Sequence, residues 1–162
     1  ALNSKVSEAL LSMGETDHPR LWHQTGTRDF LRVQSLYGAQ GLSVKVEAFI
    51  EDIAQAYAWA DILIARAGAM TIAEAQSVGL PTLWVPYPQA VDQHQLANAC
   101  CALQVGPGWI RQQSSLIADD FVSWWQYCSR HITHLRTQAQ MSAQGQCDAS
   151  EAVIHCLFSP ID

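Results

Sequence analysis

Two short apolar runs constrain this chain more than any other feature. After Asp61, the residues Ile62-Leu63-Ile64-Ala65 are continuously apolar, and Pro81 opens a second run that ends at Val85 before Pro86. Neither run alternates apolar with polar residues. Each therefore reads as a parallel strand buried on both faces, not as a strand with one face in water. Between them, about Met70 to Val78 reads as a helix closed by Gly79. Strand, helix, strand in that order requires a crossover connection, and hence a parallel sheet covered by helices.

The flanking sequence repeats the pattern. Leu2, Val6, Leu10 and Met13 share a helical face, with Gly14 as a stop. Arg20 to Gln24 reads as a strand. Phe30, Val33 and Tyr37 mark a helix that ends near Gly38 or Gly41. Ser43 to Phe49 reads as a strand, and Ile53, Tyr57 and Ala60 as a short helix. Beyond Val85, Asp92 to Leu103 is expected to be helical and Gly106 to Ile110 a last strand. From about Leu116 the chain reads as helices, with Phe121, Trp124, Trp125 and Cys128 on one apolar face. Asp148 and Glu151 have the spacing of a cap for a final helix. The fold class is α/β: a Rossmann-like parallel sheet with helices on both faces. At 162 residues the chain suits one domain better than two.

Composition removes several classes of function. The formal charge is −6 with only nine Lys and Arg, so there is no basic patch for nucleic acid or for anionic lipid. No apolar run approaches a membrane span, and no signal peptide is evident. The cysteines (Cys100, Cys101, Cys128, Cys147 and Cys156) are odd in number and form no C-x-x-C pair. Reduced thiols are expected, not a disulfide framework or a zinc site. No cofactor or metal is implied, because His18, His23, His94, His131, His134 and His155 are scattered. There is no G-x-S-x-G, Walker A or G-x-G-x-x-G motif, and no cysteine nucleophile has support.

In parallel sheets, ligands sit beyond the carboxyl ends of the strands, so the loops after Phe49, Ala65 and Val85 carry the chemistry. The second of these reads Arg66-Ala67-Gly68-Ala69-Met70-Thr71-Ile72-Ala73-Glu74. Gly68 lets backbone approach a ligand, and the following helix aims free N–H groups and its positive dipole end at the loop, as a diphosphate requires. Glu74 has the chemistry to accept hydrogen bonds from a ribose diol. Spacing alone favours a blander role, since Thr71-x-x-Glu74 is also a capping box. In the third loop two prolines hold an extended path, Asp92 is placed to cap the next helix, and Gln93, His94 and Gln95 supply neutral donors and acceptors suited to sugar hydroxyls. A polar surface turn would look the same. Val46 to Ile53 sets Phe49 and Ile50 beside Glu51 and Asp52, which suits either a flat base or an ordinary strand-to-helix turn.

Taken in order, these stretches resemble the MurG family of bacterial cell-wall glycosyltransferases. The matching segments are Phe49-Ile50-Glu51-Asp52-Ile53-Ala54, Ala56-Tyr57-Ala58-Trp59-Ala60-Asp61, and Arg66 to Glu74. Gly79-Leu80-Pro81, Val85-Pro86-Tyr87-Pro88 and Asp92-Gln93-His94-Gln95-Leu96-Ala97-Asn98-Ala99 complete the set. The likeness runs from about residue 1 to 115. It implies the C-terminal, donor-binding half of a GT-B enzyme that transfers GlcNAc from UDP-GlcNAc to lipid I, giving lipid II. It further implies that Ile50 meets uracil through its backbone. Gly68, Ala69, Met70 and Thr71 would surround the ribose and diphosphate, and Glu74 would hold the ribose hydroxyls, which reverses its ranking from spacing. His94 and Gln95 would contact the sugar, with Asn98 in support. Gln89 stands where many relatives have His and is given no catalytic role. The resemblance places a glycine-rich G-G-S-x-G-A loop just before Leu2 and an acceptor-binding domain, with the catalytic base, N-terminal to that. Residues 1–162 are thus expected to be a single UDP-GlcNAc-binding domain. It would meet lipid I only through the other half, without inserting into the membrane itself, and would be cytoplasmic. The full-length protein would be peripheral on the cytoplasmic face of the inner membrane. The alternatives are a non-catalytic UDP-sugar-binding subunit with a separate membrane partner, or a glycolipid synthase of the same fold.

Overall fold

Within each sheet of this chain, consecutive parallel strands are joined through a helix, as the two apolar runs demand for the second. The computed structural model describes residues 2–14, 18–88 and 94–145. The elements are α1 (Leu2–Ser12), β1 (Leu21–Gln24), α2 (Phe30–Ala39), β2 (Val44–Glu47), α3 (Ile53–Trp59), β3 (Leu63–Ala65), α4 (Ala69–Ser77), β4 (Thr82–Trp84), α5 (His94–Val105), β5 (Gly108–Ile110) and α6 (Ala118–Gly145). All described strand pairs are parallel, so the chain is α/β as expected. Among the described residues no helix is long and apolar enough to cross a membrane. The expected caps Asp92, Asp148 and Glu151 lie outside the described residues, as do Gln89, Gln93, Cys147 and Cys156.

The residues group into two compact units. Of the described residues, the first comprises those within 1–56 and 114–130, the second those within 57–113 and 131–145. In the first, β1 pairs with β2 in the register Leu21 to Val44 through Gln24 to Glu47. α1 packs on α2, burying Val6, Leu10, Val33 and Tyr37. Four polar residues cross this interior. The His23 ring lies with Nδ1 3.0 Å from the Tyr37 hydroxyl and Nε2 3.3 Å from Asn3 Oδ1. Ser7 Oγ is 3.1 Å from the same hydroxyl, and the Asn3 amide donates to Thr25 O and to Asp29. Asn3 Oδ1 can only accept, so Nε2 carries the ring proton and Nδ1 accepts from Tyr37. Burial lowers the His23 pKa to about 4, against a smaller opposing effect of Asp29.

In the second unit the strand order is β3-β4-β5, with Leu63 opposite Thr82 and Thr82 opposite Gly108. The sequence expectation that both apolar runs are buried on both faces holds for β4 only. Thr82, Leu83 and Trp84 are buried, whereas Leu63, Ile64 and Ala65 are half-buried, because β3 borders this sheet. Trp84 fills the centre of a core otherwise built from small side chains: Ala67, Ala75, Ala99 and Ala102, with Ile72. Those alanines let α4 and α5 approach the sheet closely. α4 ends in a Schellman turn: Gly79 N donates to Gln76 O and Leu80 N to Ala75 O, with Gly79 at φ +64°. A Cβ on Gly79 would lie 2.9 Å from Gln140 Cα and 3.0 Å from the Ala139 carbonyl, so this turn sits directly on the backbone of α6.

Among the described residues from 116 onward the chain forms one 28-residue helix, α6, and the expected final helix beyond it lies outside them. No Gly or Pro interrupts the sequence between Gly108 and Gly145. On its predicted apolar face Phe121, Trp124 and Cys128 are buried and Trp125 is half-buried.

Candidate functional site

Parallel pairing in the second unit puts the ends of β3, β4 and β5 on one edge, so the loops that open at Arg66 and Val85 and the Arg111 position lie side by side. α4 starts at Ala69 with Gly68 as its N-cap, and no side chain caps it. The helix opens two residues before Thr71, which places Thr71 in the first turn and Glu74 in the second. The capping box that the spacing allowed does not form. The first-turn N–H groups thus face the loop without a side-chain oxygen among the described residues, and the helix dipole adds to their positive potential. Gly68 has φ −73°, a conformation open to any residue. Among the described residues, a Cβ there would meet nothing nearer than Thr71 Oγ1 at 3.8 Å. Neither the backbone conformation nor any described neighbour requires glycine at this position. Ala69 and Met70 are exposed, Met70 to 79%.

Freed from capping, the Glu74 carboxylate takes another partner. Tyr57, on α3 and 8% exposed, donates its hydroxyl to Glu74 Oε2 at 2.9 Å. Burial chiefly, then the hydrogen bond and charge of Glu74, push the Tyr57 hydroxyl up to about 12. Sequence reasoning placed Tyr57 on an apolar helical face and within a matching segment, but gave it no role in the site. The signal available was a hydroxyl-bearing aromatic at a buried position, which needs a polar partner.

Three side chains brace the loops. Asn98, on α5, donates to Ala67 O at 3.2 Å and so fixes the backbone just before Gly68. Gln95 Oε1 accepts from Tyr87 N at 2.8 Å. Arg66 donates through Nη1 to Val85 O and Pro86 O, both at 3.1 Å, and through Nη2 to Gln113 Oε1. Its guanidinium also stands 5.3 Å from the Tyr87 ring centre. Burial lowers the Arg66 pKa, and Tyr87 opposes the shift. Arg66 was part of the quoted motif but was given no role. The structure makes it the clamp between the β3 and β4 loops. His94 is the first described residue of α5 and is exposed. Gly68, Ala69, Met70, Thr71, Glu74, Gln95 and Asn98 thus lie in this unit on two helices braced to one loop edge, with His94 at the start of the second.

Ile50 lies in the first unit, in the turn between β2 and α3. Its N–H donates to the side-chain oxygen of Gln24, at the carboxyl end of β1, at 2.9 Å. The strand continues past Gln24 through Thr25 N to Glu47 O and Gly26 N to Ala48 O. Asp52 accepts from Gln55 N at 2.9 Å and so caps α3, the bland role open to it in the sequence. Phe49 beside Ile50 is 65% exposed.

Beyond a parallel strand the second unit thus presents a glycine with room above it, a helix start with no side-chain cap, and a carboxylate one turn inside. Comparison with known proteins gives the family: the chain belongs to the glycosyltransferase family 28 C-terminal domain family, whose pattern spans residues 1–153. The chain is 39% identical over 140 residues to the UDP-N-acetylglucosamine–N-acetylmuramyl-(pentapeptide) pyrophosphoryl-undecaprenol N-acetylglucosamine transferase of Coxiella burnetii, covering 86% of this chain and 39% of that protein. It is 45% identical over 118 residues to the transferase of the same name from Alkalilimnicola ehrlichii, covering 73% of this chain and 33% of that one. The crystal structure of Acinetobacter baumannii MurG superposes with a TM-score of 0.76 at 33% identity, over 94% of this chain and 46% of the other. The chain thus spans about two fifths of the length of the curated relatives it matches.

Proposed function

We propose that this chain is the donor-binding part of an inverting glycosyltransferase that moves GlcNAc from UDP-GlcNAc to lipid I, giving lipid II for peptidoglycan. The observation that carries this reading is the α4 start: an open Gly68, uncapped N–H groups from Ala69 to Thr71, and Glu74 turned away from capping. The family and the names of the relatives supply the donor and acceptor. In this reading the diphosphate meets the α4 N-terminus, Glu74 takes the ribose hydroxyls, and His94 and Gln95 meet the sugar. Asn98 contributes indirectly, by holding the Ala67 carbonyl and hence the loop. Ile50 takes the uracil through its backbone, after the base has displaced the Gln24 amide from its N–H.

The chemistry is an in-line displacement. The acceptor hydroxyl oxygen bonds to the anomeric carbon while the bond from that carbon to the β-phosphate oxygen breaks, and UDP leaves with the electron pair. The acceptor proton passes to a base on a second domain that also binds lipid I. The donor site stabilises charge growing on the diphosphate through fixed N–H dipoles. The protein would work at the cytoplasmic face of the membrane that holds lipid I, as a peripheral enzyme.

Calorimetric titration with UDP-GlcNAc, with UDP-glucose and GDP-mannose as controls, tests the donor assignment. We expect a Kd on the order of 0.1–1 mM, or about −4 to −5.5 kcal/mol, and loss of binding in Glu74→Ala. Equal affinity for GDP-mannose, or full binding by Glu74→Ala, would refute it.

A further inference from the structure

We propose that Tyr57 is a positioning residue of the ribose site, holding one oxygen of the Glu74 carboxylate so that the other faces the ribose diol. This rests on the donor-site reading above and names a residue which that reading does not use.

The hydrogen bond joins two helices. Tyr57 sits near the end of α3 and Glu74 lies in the second turn of α4, 17 residues on. A glutamate at a helix surface ordinarily samples several rotamers, and each must be given up when a ligand binds. Here the carboxylate is tied before any ligand arrives. An ionised carboxylate offers about four lone-pair sites, and Tyr57 uses one. The rest can serve two ribose hydroxyls. The donor is also permanent, because the Tyr57 hydroxyl titrates near 12 and keeps its proton throughout the neutral range. A hydroxyl donating to a charged oxygen is among the stronger hydrogen bonds available to a side chain. Tyrosine suits the place for a further reason: the residue is 8% exposed while its oxygen reaches the half-buried Glu74, so one side chain fills the core and aims the acceptor.

A tyrosine present only for packing would be replaced by phenylalanine without effect on what the site recognises. The test is calorimetric titration of the protein and three variants (Tyr57→Phe, Glu74→Gln and the double substitution) with UDP and with 2′-deoxy-UDP. The readout is the ratio of the two dissociation constants. Both ligands report on the same folded population, so a general loss of stability cancels in the ratio. The wild type should prefer UDP by roughly tenfold or more, since the deoxy ligand leaves part of the acceptor unpaired. Tyr57→Phe should reduce that preference by roughly threefold or more, and should change nothing further in the Glu74→Gln background. An unchanged preference in Tyr57→Phe overturns the positioning role while leaving Glu74 as a ribose ligand. An effect of Tyr57→Phe that persists at full size without the Glu74 carboxylate also overturns it. A wild type indifferent to the 2′-hydroxyl removes the ribose reading itself.

Discussion

Acid should weaken this protein through one buried imidazole. His23 is 9% exposed, bonded on both ring nitrogens to neutral partners, and its pKa is lowered to about 4 by burial. In the unfolded chain the ring returns to about 6.5. Between those values the unfolded state binds a proton that the folded state refuses, so stability rises with pH across the window. The contribution is fully present above about pH 6.5 and is lost as pH falls towards about 4. The gap of about 2.5 units corresponds to about 3 kcal/mol in all, of which about 2.5 kcal/mol is gone by pH 4.5. Urea unfolding followed by circular dichroism at pH 7.5 and pH 4.5 measures this directly. His23→Gln keeps a neutral hydrogen-bonding side chain and removes the titration. It should be less stable than the wild type at pH 7.5 yet lose about 2.5 kcal/mol less on acidification. Asp29, whose carboxyl is held below its ordinary range by the Asn3 amide and Arg32, titrates in both proteins and drops out of the difference. Equal losses of stability in wild type and variant over this interval would refute the reasoning.

Two more outcomes follow from packing. Gly79→Ala places a Cβ against α6 backbone at a left-handed φ and should cost about 2–5 kcal/mol in urea unfolding, the sum of backbone strain and overpacking; a cost under about 1 kcal/mol would mean that the Schellman turn and α6 separate freely. Cys128 is buried with its thiol pushed up to about 12, whereas Cys100 is exposed, so iodoacetamide on the native protein, read by peptide mass spectrometry, should modify Cys100 and spare Cys128 until the chain unfolds.

The sequence showed the elements that frame the site because punctuation and periodicity act locally. The helix expected from Met70 runs from Ala69 to Ser77 and stops at Gly79, and the strands at Arg20, Pro81 and Gly106 lie within two residues of their expected starts. What it hid depends on distant neighbours. Leu63 to Ala65 look like a central strand, but the neighbours of a strand are not written in its own residues. Thr71 and Glu74 have capping spacing, yet the helix begins two residues earlier, and a cap depends on that start more than on the spacing. Gln24 is 26 residues from the Ile50 N–H it occupies, and no local pattern could pair them. The uninterrupted α6 was available to inspection, since nothing between Gly108 and Gly145 breaks a helix.

The interleaving of the two compact units has a consequence for how the chain is made. Each is assembled from segments separated in sequence: residues 1–56 are completed by 114–130, and residues 57–113 by the segment that starts at 131. During synthesis the first unit must therefore wait, with β1 and β2 already emerged, until the whole β3 to β5 region has been translated. The second cannot close before Arg136 reaches Asp61 and the Ala139–Gln140 backbone reaches Gly79. Neither unit can complete itself before most of the other has been translated. A nascent chain halted before α6 would leave both units unfinished at once, because α6 supplies residues to each.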